Sequence, residues 1–145
     1  DRMTVRLGVL QDYESIRKSN NSTNALENSA YFPNAIREDL ENGYLIFDDE
    51  THGFLAFYPT KKSDPPRVTI YNIYVPKSSR KKGSGFQMVE FLRELYPDRP
   101  ILAKCPVDIE SNKWYEHTGW KLKEVLPPEG RRKRALNLWV YEVES

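Results

Sequence analysis

Residues 67–95, RVTIYNIYVPKSSRKKGSGFQMVEFLREL, constrain the fold of this chain more than any other stretch. Residues 67–75 are rich in β-branched and aromatic side chains, which is typical of a buried or half-buried strand. Pro76 ends the predicted strand, because proline cannot donate to a strand ladder. From Gly85 onward, apolar side chains recur at helical spacing. The stretch is therefore predicted to run from a strand through a short turn into a helix.

The turn itself, residues 80–85, reads RKKGSG. Glycines allow the backbone to approach a ligand closely, and the start of a helix presents unpaired N–H groups. Three cations add positive charge, so the segment indicates a polyphosphate site. An ordinary basic loop before a helix is the alternative interpretation. The spacing matches neither the Walker loop, G-x-x-x-x-G-K-[ST], nor the Rossmann fingerprint.

Length and composition favour a single globular domain over residues 1–145. A hydrophobic content of 39%, with 12% aromatic residues, excludes a disordered chain. No apolar run is as long as a membrane span, and no N-terminal segment resembles a signal peptide. One cysteine, Cys105, cannot form an internal disulfide, so we expect a cytoplasmic protein. With only two histidines and this cysteine, we expect no metal site.

Charge is distributed unevenly along the chain, although the net charge is only +1. Residues 1–60 contain 5 Lys and Arg against 10 Asp and Glu, whereas residues 61–145 contain 17 against 11. The basic part coincides with the turn at residues 80–85. This division suits an anionic cofactor in the second part and a cationic or amine substrate near the first. Charges that merely solvate the surface are the alternative.

The remaining elements are predicted from periodicity and turn residues. We expect the first helix to be capped by Asp12, the second to follow Pro33 and end at Gly43, and the last to be capped by Ser111 or Asp108. His52 is expected at the solvated tip of a hairpin loop, residues 49–53. The predicted strands, besides residues 67–75, are residues 3–9, 44–48, 54–58, 101–107, 120–126 and 135–143, and the first helix is residues 13–19. This order favours an α/β (α+β) domain with one twisted, mixed sheet and helices on both faces.

A second motif lies about thirty residues after the turn. Residues 112–120, NKWYEHTGW, resemble the (aromatic)-Tyr-Glu-x-x-Gly-Phe segment of the GNAT N-acetyltransferase superfamily, with an asparagine, Asn112, two positions before the aromatic residue and with Trp120 in place of the phenylalanine. The Arg-x-x-Gly-x-Gly pattern of residues 80–85, five residues after Val75, resembles the acyl-CoA pyrophosphate loop of the same superfamily. The resemblance implies the GNAT fold, with about seven strands and with the fourth and fifth strands splayed apart to hold acyl-CoA.

The resemblance further implies that acetyl-CoA is a cosubstrate and that its acetyl group passes to a primary amine by direct attack in a ternary complex. Tyr115 matches the family tyrosine that protonates the departing thiolate, and a tyrosine packed in the core is the alternative. Asn112 would contact the pantetheine arm, or instead cap a helix. The residues implied to bind the cofactor are Ile73, Tyr74, Val75, Arg80, Lys81, Lys82, Gly83, Ser84, Gly85 and Asn112.

The acceptor side is less defined by the sequence. Some family members carry a glutamate where this chain has Thr69, so the general base stays open among Tyr71, Glu27, Glu38, Asp108 and an ordered water chain. Cys105 is interpreted as a buried structural residue. The residues predicted to contact the acceptor are Glu27, Tyr31, Phe32 and Tyr71.

A basic run in the last predicted loop offers a different class of partner. Such a run can bind nucleic-acid phosphates, or it can simply solvate a hairpin tip. If it binds nucleic acid, the acceptor is an amine on aminoacyl-tRNA or a modified DNA base, which is the second candidate. A non-catalytic acyl-CoA-binding module is a further alternative. We expect no membrane partner, and the family makes a homodimer an expectation. The basic residues are Arg131, Arg132, Lys133 and Arg134.

Overall fold

The computed structural model describes residues 4–19, 33–60, 66–130 and 133–142. The strands are β1 Val5–Leu7, β2 Leu45–Asp48, β3 Phe54–Thr60, β4 Arg67–Tyr74, β5 Ile101–Pro106, β6 Lys121–Leu126 and β7 Leu136–Tyr141. The helices are α1, residues 13–19, α2 Pro33–Asn42, α3 Ser84–Leu95 and α4 Ser111–His117. Short 3₁₀ helices cover Leu10–Asp12 and Lys77–Lys82. The element order is the predicted one.

The strands form one seven-stranded sheet in the order β1-β2-β3-β4-β5-β7-β6. Antiparallel pairing joins β1 to β2, β2 to β3, β5 to β7 and β6 to β7, whereas β4 and β5 are parallel. The predicted mixed sheet of about seven strands is therefore confirmed.

Parallel pairing between β4 and β5 involves their first residues. Val68 pairs with Ile101, and the register runs on to Ile70 opposite Ala103. β4 then continues to Tyr74, and β5 continues to Pro106 along β7. A parallel pair that extends over only the start of both strands agrees with the splayed geometry expected of a GNAT sheet.

The chain folds as two compact units, and the first contains residues 1–57 and 72–95. Within it, Ile16 of α1 and Leu40 of α2 pack on Phe47 and its neighbours in β2 and β3. Side chains alternate across a strand, so Asp48 faces the opposite side from Phe47. Asp48 bonds to Ser84 of α3. Helices therefore cover both faces of this part of the sheet, as predicted.

The second unit contains residues 58–71 and 96–145. Leu102 of β5 packs with Leu138 and Val140 of β7 in a small buried cluster. β6 is the last strand of the sheet, and its side chains are largely exposed. None of the helices in the described parts of the chain has the length and apolar character needed to cross a membrane.

Three local predictions are wrong. Described β1 is Val5–Leu7 rather than residues 3–9, because the backbone turns into a 3₁₀ helix at Leu10. Asp12 was expected to cap α1, but its carboxylate accepts the Val9 N–H and pairs with Arg6. The residue before α4 is Glu110, which makes no side-chain cap, so neither Ser111 nor Asp108 caps that helix.

Candidate functional site

The connection between β4 and α3, predicted as a short turn, contains a short helix. Residues Lys77–Lys82 form a 3₁₀ helix, and Gly83 ends it with a φ of 76°, in the left-handed region that favours glycine. Gly83 is exposed, and a Cβ built there meets no atom within 4 Å. The backbone between the two helices is therefore open to a ligand.

The start of α3 supplies hydrogen-bond donors at this point. The Gln87 N–H donates to the Gly83 carbonyl at 3.0 Å and begins the helical ladder. By helix geometry the preceding N–H groups, of residues 84–86, have no intrahelical acceptor. Together with the helix dipole they favour an anion in front of Gly83. The structure describes the backbone of Arg80, Lys81 and Lys82 but not their side chains.

Ser84 was predicted to bind the cofactor, but its side chain turns inward. Ser84 is only 2% exposed, and its Oγ donates to Asp48 Oδ2 at 2.6 Å. A second hydrogen bond joins Ser84 Oγ to Thr51 Oγ1 at 2.9 Å. Only the backbone of Ser84 is therefore available to a ligand in front of α3.

Asp48 and Thr51 are residues of this region that the sequence reasoning missed. Burial raises the pKa of Asp48, but hydrogen bonds, chiefly from Ser84, Thr4 and the Glu50 backbone, outweigh burial and hold it below its ordinary value. The carboxylate is thus ionised at neutral pH although it is 2% exposed. Aspartate at the end of a strand beside a turn is too common a pattern to have identified it.

The end of β4 lies in the same unit as the start of α3. Ile73, Tyr74 and Val75 are all partly exposed, and the Tyr74 ring packs against Phe54 with centroids 5.9 Å apart. Val75 follows the last residue of β4. These residues are accessible, as a strand-like contact with the pantetheine arm would require.

Tyr115 lies in the second unit, in a cluster of aromatic rings. It is 5% exposed and stacks on Trp139 at a centroid distance of 5.8 Å and an interplanar angle of 15°. Trp114 and Trp120 each meet it edge-on at 5.1 Å. Three tryptophans therefore fix the direction of the Tyr115 ring.

Asn112 was predicted to contact pantetheine or to cap a helix, and its amide is used inside the protein. Nδ2 donates to the carbonyls of Pro106 at 2.8 Å and Ile109 at 2.9 Å. Oδ1 accepts from Asn137 Nδ2 at 3.0 Å and from Trp139 Nε1 at 2.9 Å. The side chain thereby joins the end of β5, the start of α4 and β7.

The remaining residues named in the sequence analysis belong neither to α3 nor to the cluster of aromatic rings around Tyr115. Tyr71 is 64% exposed on β4, within the second unit. His52 is exposed in the β2–β3 turn and Cys105 is buried, both as predicted. No cluster of three or more potential metal ligands occurs among the residues that the structure describes. The predicted acceptor residues Glu27, Tyr31 and Phe32 lie outside the described residues.

The basic loop before β7 is described only at its end. Lys133 is exposed, whereas Arg134 donates to Asp108 Oδ1 at 2.6 Å, and this bond lowers the pKa of Asp108. Arg131 and Arg132 lie outside the described residues. Arg134 is thus partly neutralised by Asp108.

No protein-family model matches the sequence, and no curated protein sequence matches it significantly. Solved structures do match over almost the whole chain. Ard1 from Thermoplasma volcanium is 17% identical, with 98% of both chains covered and a TM-score of 0.76. A putative GNAT-family acetyltransferase from Desulfovibrio desulfuricans is 20% identical, with 97% of this chain and 98% of that chain covered and a TM-score of 0.74.

NAA60 from Arabidopsis thaliana, crystallised with acetyl-CoA, matches in the same way. It is 14% identical, covers 94% of this chain and 97% of its own, and has a TM-score of 0.75. Structural similarity of this extent at such low sequence identity shows a shared fold and nothing more. The chain has the GNAT fold, and the resemblance noted in the sequence is confirmed at that level.

Proposed function

We propose that this protein is an N-acetyltransferase that moves the acetyl group of acetyl-CoA to a primary amine. The observation that carries the proposal is the start of α3, where Gly83, at a φ of 76°, leaves the helix N-terminus open. The solved neighbour from Desulfovibrio desulfuricans is a putative acetyltransferase of the GNAT family, and the NAA60 structure contains acetyl-CoA. A helix start of this kind is suited to the pyrophosphate of CoA.

Binding would combine backbone and charge. The N–H groups of Ser84, Gly85 and Phe86 would donate to the pyrophosphate oxygens, since the helical ladder begins at the Gln87 N–H. Arg80, Lys81 and Lys82 would add positive charge to the same phosphates. The pantetheine arm would run along Ile73, Tyr74 and Val75 and pair with their backbone like an added strand.

Chemistry would follow by direct attack in a ternary complex. The amine lone pair attacks the thioester carbonyl, the new C–N bond forms as the C–S bond breaks, and the proton from nitrogen leaves through water. Tyr115 would donate its phenolic proton to the departing thiolate, because a hydroxyl placed beside a developing anion can act as a general acid. The stacked position of the Tyr115 ring on Trp139 supports this role by limiting its motion.

The acceptor would be a small or peptide-borne amine attracted by the acidic first part of the chain, where residues 1–60 hold 10 Asp and Glu against 5 Lys and Arg. Tyr71, exposed on β4, is the described residue that we assign to the acceptor. An acceptor amine on nucleic acid is disfavoured by the Arg134–Asp108 pair, which removes one cation from the basic loop.

Two measurements on the wild-type protein test the proposal. Calorimetry with CoA should give saturable binding, and a thiol-release assay should show turnover with at least one member of a panel of amines, polyamines, peptides and aminoacylated tRNA. Binding without thiol release for any amine would indicate a non-catalytic acyl-CoA module. If millimolar CoA does not bind, the proposal is wrong. Turnover confined to the aminoacylated tRNA would favour the nucleic-acid-borne amine.

A further inference from the structure

Four groups in the first unit form a chain of hydrogen bonds that ends on a buried carboxylate. The Gly53 N–H donates to Thr51 Oγ1 at 3.1 Å, Thr51 Oγ1 bonds to Ser84 Oγ at 2.9 Å, and Ser84 Oγ donates to Asp48 Oδ2 at 2.6 Å. Asp48, Thr51 and Ser84 are 2%, 6% and 2% exposed. This series of hydrogen bonds therefore lies inside the protein, directly behind the first turn of α3.

Chemistry fixes the direction of every bond in this chain. A backbone N–H only donates, and an ionised carboxylate only accepts. Ser84 has one hydroxyl proton, which goes to Asp48, so in the bond between the hydroxyls Thr51 must be the donor. Each hydroxyl thus accepts one hydrogen bond and donates one, and all donations run toward Asp48. Hydrogen bonds aligned in this way strengthen one another.

The β2–β3 turn that carries Asp48 and Thr51 is itself fixed by short bonds. The Asp48 N–H donates to the Gly53 carbonyl at 3.0 Å, and the His52 N–H donates to the Asp48 carbonyl at 2.8 Å. The Glu50 N–H donates to the other carboxylate oxygen, Oδ1, at 2.9 Å. Among the hydrogen-bonded groups, Ser84 is the one that belongs to α3. Its side chain therefore attaches the helix to a rigid turn.

The same turn also contacts the end of β4. A Cβ built at Gly53 would lie 3.0 Å from the Tyr74 carbonyl oxygen and 3.3 Å from Ser84 Oγ. These distances are too short for a side chain to fit without displacing its neighbours, so glycine permits the turn to approach both segments. One turn therefore touches both segments that the proposed function assigns to the cofactor, the end of β4 and the start of α3.

We propose that Asp48 and Thr51 are positioning residues for acetyl-CoA. Through Ser84, these two residues hold the first turn of α3 where its N–H groups meet the pyrophosphate. This inference rests on the proposed function. The buried chain would prevent α3 from shifting along its axis or fraying at its start. A carboxylate in a low-dielectric interior would in addition make the Ser84 hydroxyl bond strong and directional.

The matched variants are Thr51→Val, which keeps the shape but removes the hydroxyl, and Thr51→Ser, which keeps the hydroxyl. Calorimetry should show that Thr51→Val weakens CoA binding roughly fivefold to tenfold, the effect of losing one buried hydrogen bond, whereas Thr51→Ser restores binding to within about twofold of the wild type. Ser84→Ala should weaken CoA binding at least as much as Thr51→Val. Ser84→Ala leaves the bonds within the β2–β3 turn intact, so it decides the question by the same measurement if Thr51→Val does not fold.

A donor without phosphate separates positioning from general damage to the fold. S-acetylpantetheine lacks the pyrophosphate, so kcat/KM with this donor should stay within about twofold of the wild type in Thr51→Val. The inference is overturned if the wild type binds CoA and the variants bind it equally well, or if the activities with both donors fall together. Absence of CoA binding by the wild type is a different result, because it contradicts the proposed function itself.

Discussion

The indole Nε1 of Trp139 donates a hydrogen bond to Oδ1 of Asn112, and the two atoms lie 2.9 Å apart. Asn112 also donates to the carbonyls of Pro106 and Ile109. A side chain that appeared in the sequence as a cofactor ligand thus connects α4 to the strands beside it. Because Trp139 stacks on Tyr115, the position of Asn112 also bears on the proposed catalytic ring.

Asn112→Ala should lower the free energy of unfolding by about 1–3 kcal/mol, because it leaves the nearly buried Trp139 N–H and the Asn137 amide without this acceptor. Urea unfolding measures the change. The control is Lys113→Ala, at the next position of α4, where an exposed side chain makes only a 3.6 Å ion pair with Glu110; its effect should stay within about 0.5 kcal/mol. Unchanged stability with weaker CoA binding would instead identify Asn112 as a cofactor ligand.

Tyr115→Phe should reduce kcat roughly 10²-fold or more while CoA affinity stays the same, since the variant keeps the ring and loses the proposed general acid. The matched control is Tyr141→Phe, in a tyrosine whose ring packs on Trp120 in the same cluster at 5.1 Å. Thiol release and calorimetry, run on both variants, give the two constants. Equal and small effects in the two variants would show that Tyr115 is a core tyrosine.

Several features of the fold could be predicted because they depend on neighbours in the sequence. Gly43 ends α2, with a positive φ that glycine tolerates. The β2–β3 turn with exposed His52 also agrees with the prediction from its turn residues. Short-range propensity decides these positions, and it can be read from a single sequence.

The internal partners of the candidate site could not be predicted in this way. Ser84 and Asp48 are 36 residues apart, and Asn112 and Trp139 are 27 apart, so both bonds depend on how separate elements pack. Ser84 was predicted to bind the cofactor, yet its hydroxyl is buried because it packs against Asp48 and Thr51. The same long-range packing gives Asp108 an arginine partner instead of a capping role.

The stability of the protein should decrease in acid partly through Asp48. Its pKa in the folded protein lies below the ordinary value of about 3.9, so the folded state favours the ionised form. This contribution is complete above the unfolded pKa and is lost as the pH falls below about 4 toward the folded pKa. Urea unfolding of Asp48→Asn at pH 6 and pH 3 should therefore show a smaller loss of stability with acid than the wild type. An identical loss in both proteins would contradict the assignment.

Gly83→Glu should abolish CoA binding, because the new carboxylate would stand where the pyrophosphate is proposed to lie. Backbone strain is the complication, since a non-glycine residue in the left-handed region costs about 1–2 kcal/mol. Gly43→Glu controls for it: Gly43 also has a φ of 76°, also follows a helix and also has no atom within 4 Å of a built Cβ.

Both glutamates should lower the melting temperature by a similar amount, but only Gly83→Glu should remove CoA binding in calorimetry and thiol release in the assay. Loss of binding in both variants would attribute the effect to strain. Retention in both would mean that the start of α3 does not hold the pyrophosphate, because a carboxylate in contact with bound phosphates at this open position would repel them directly.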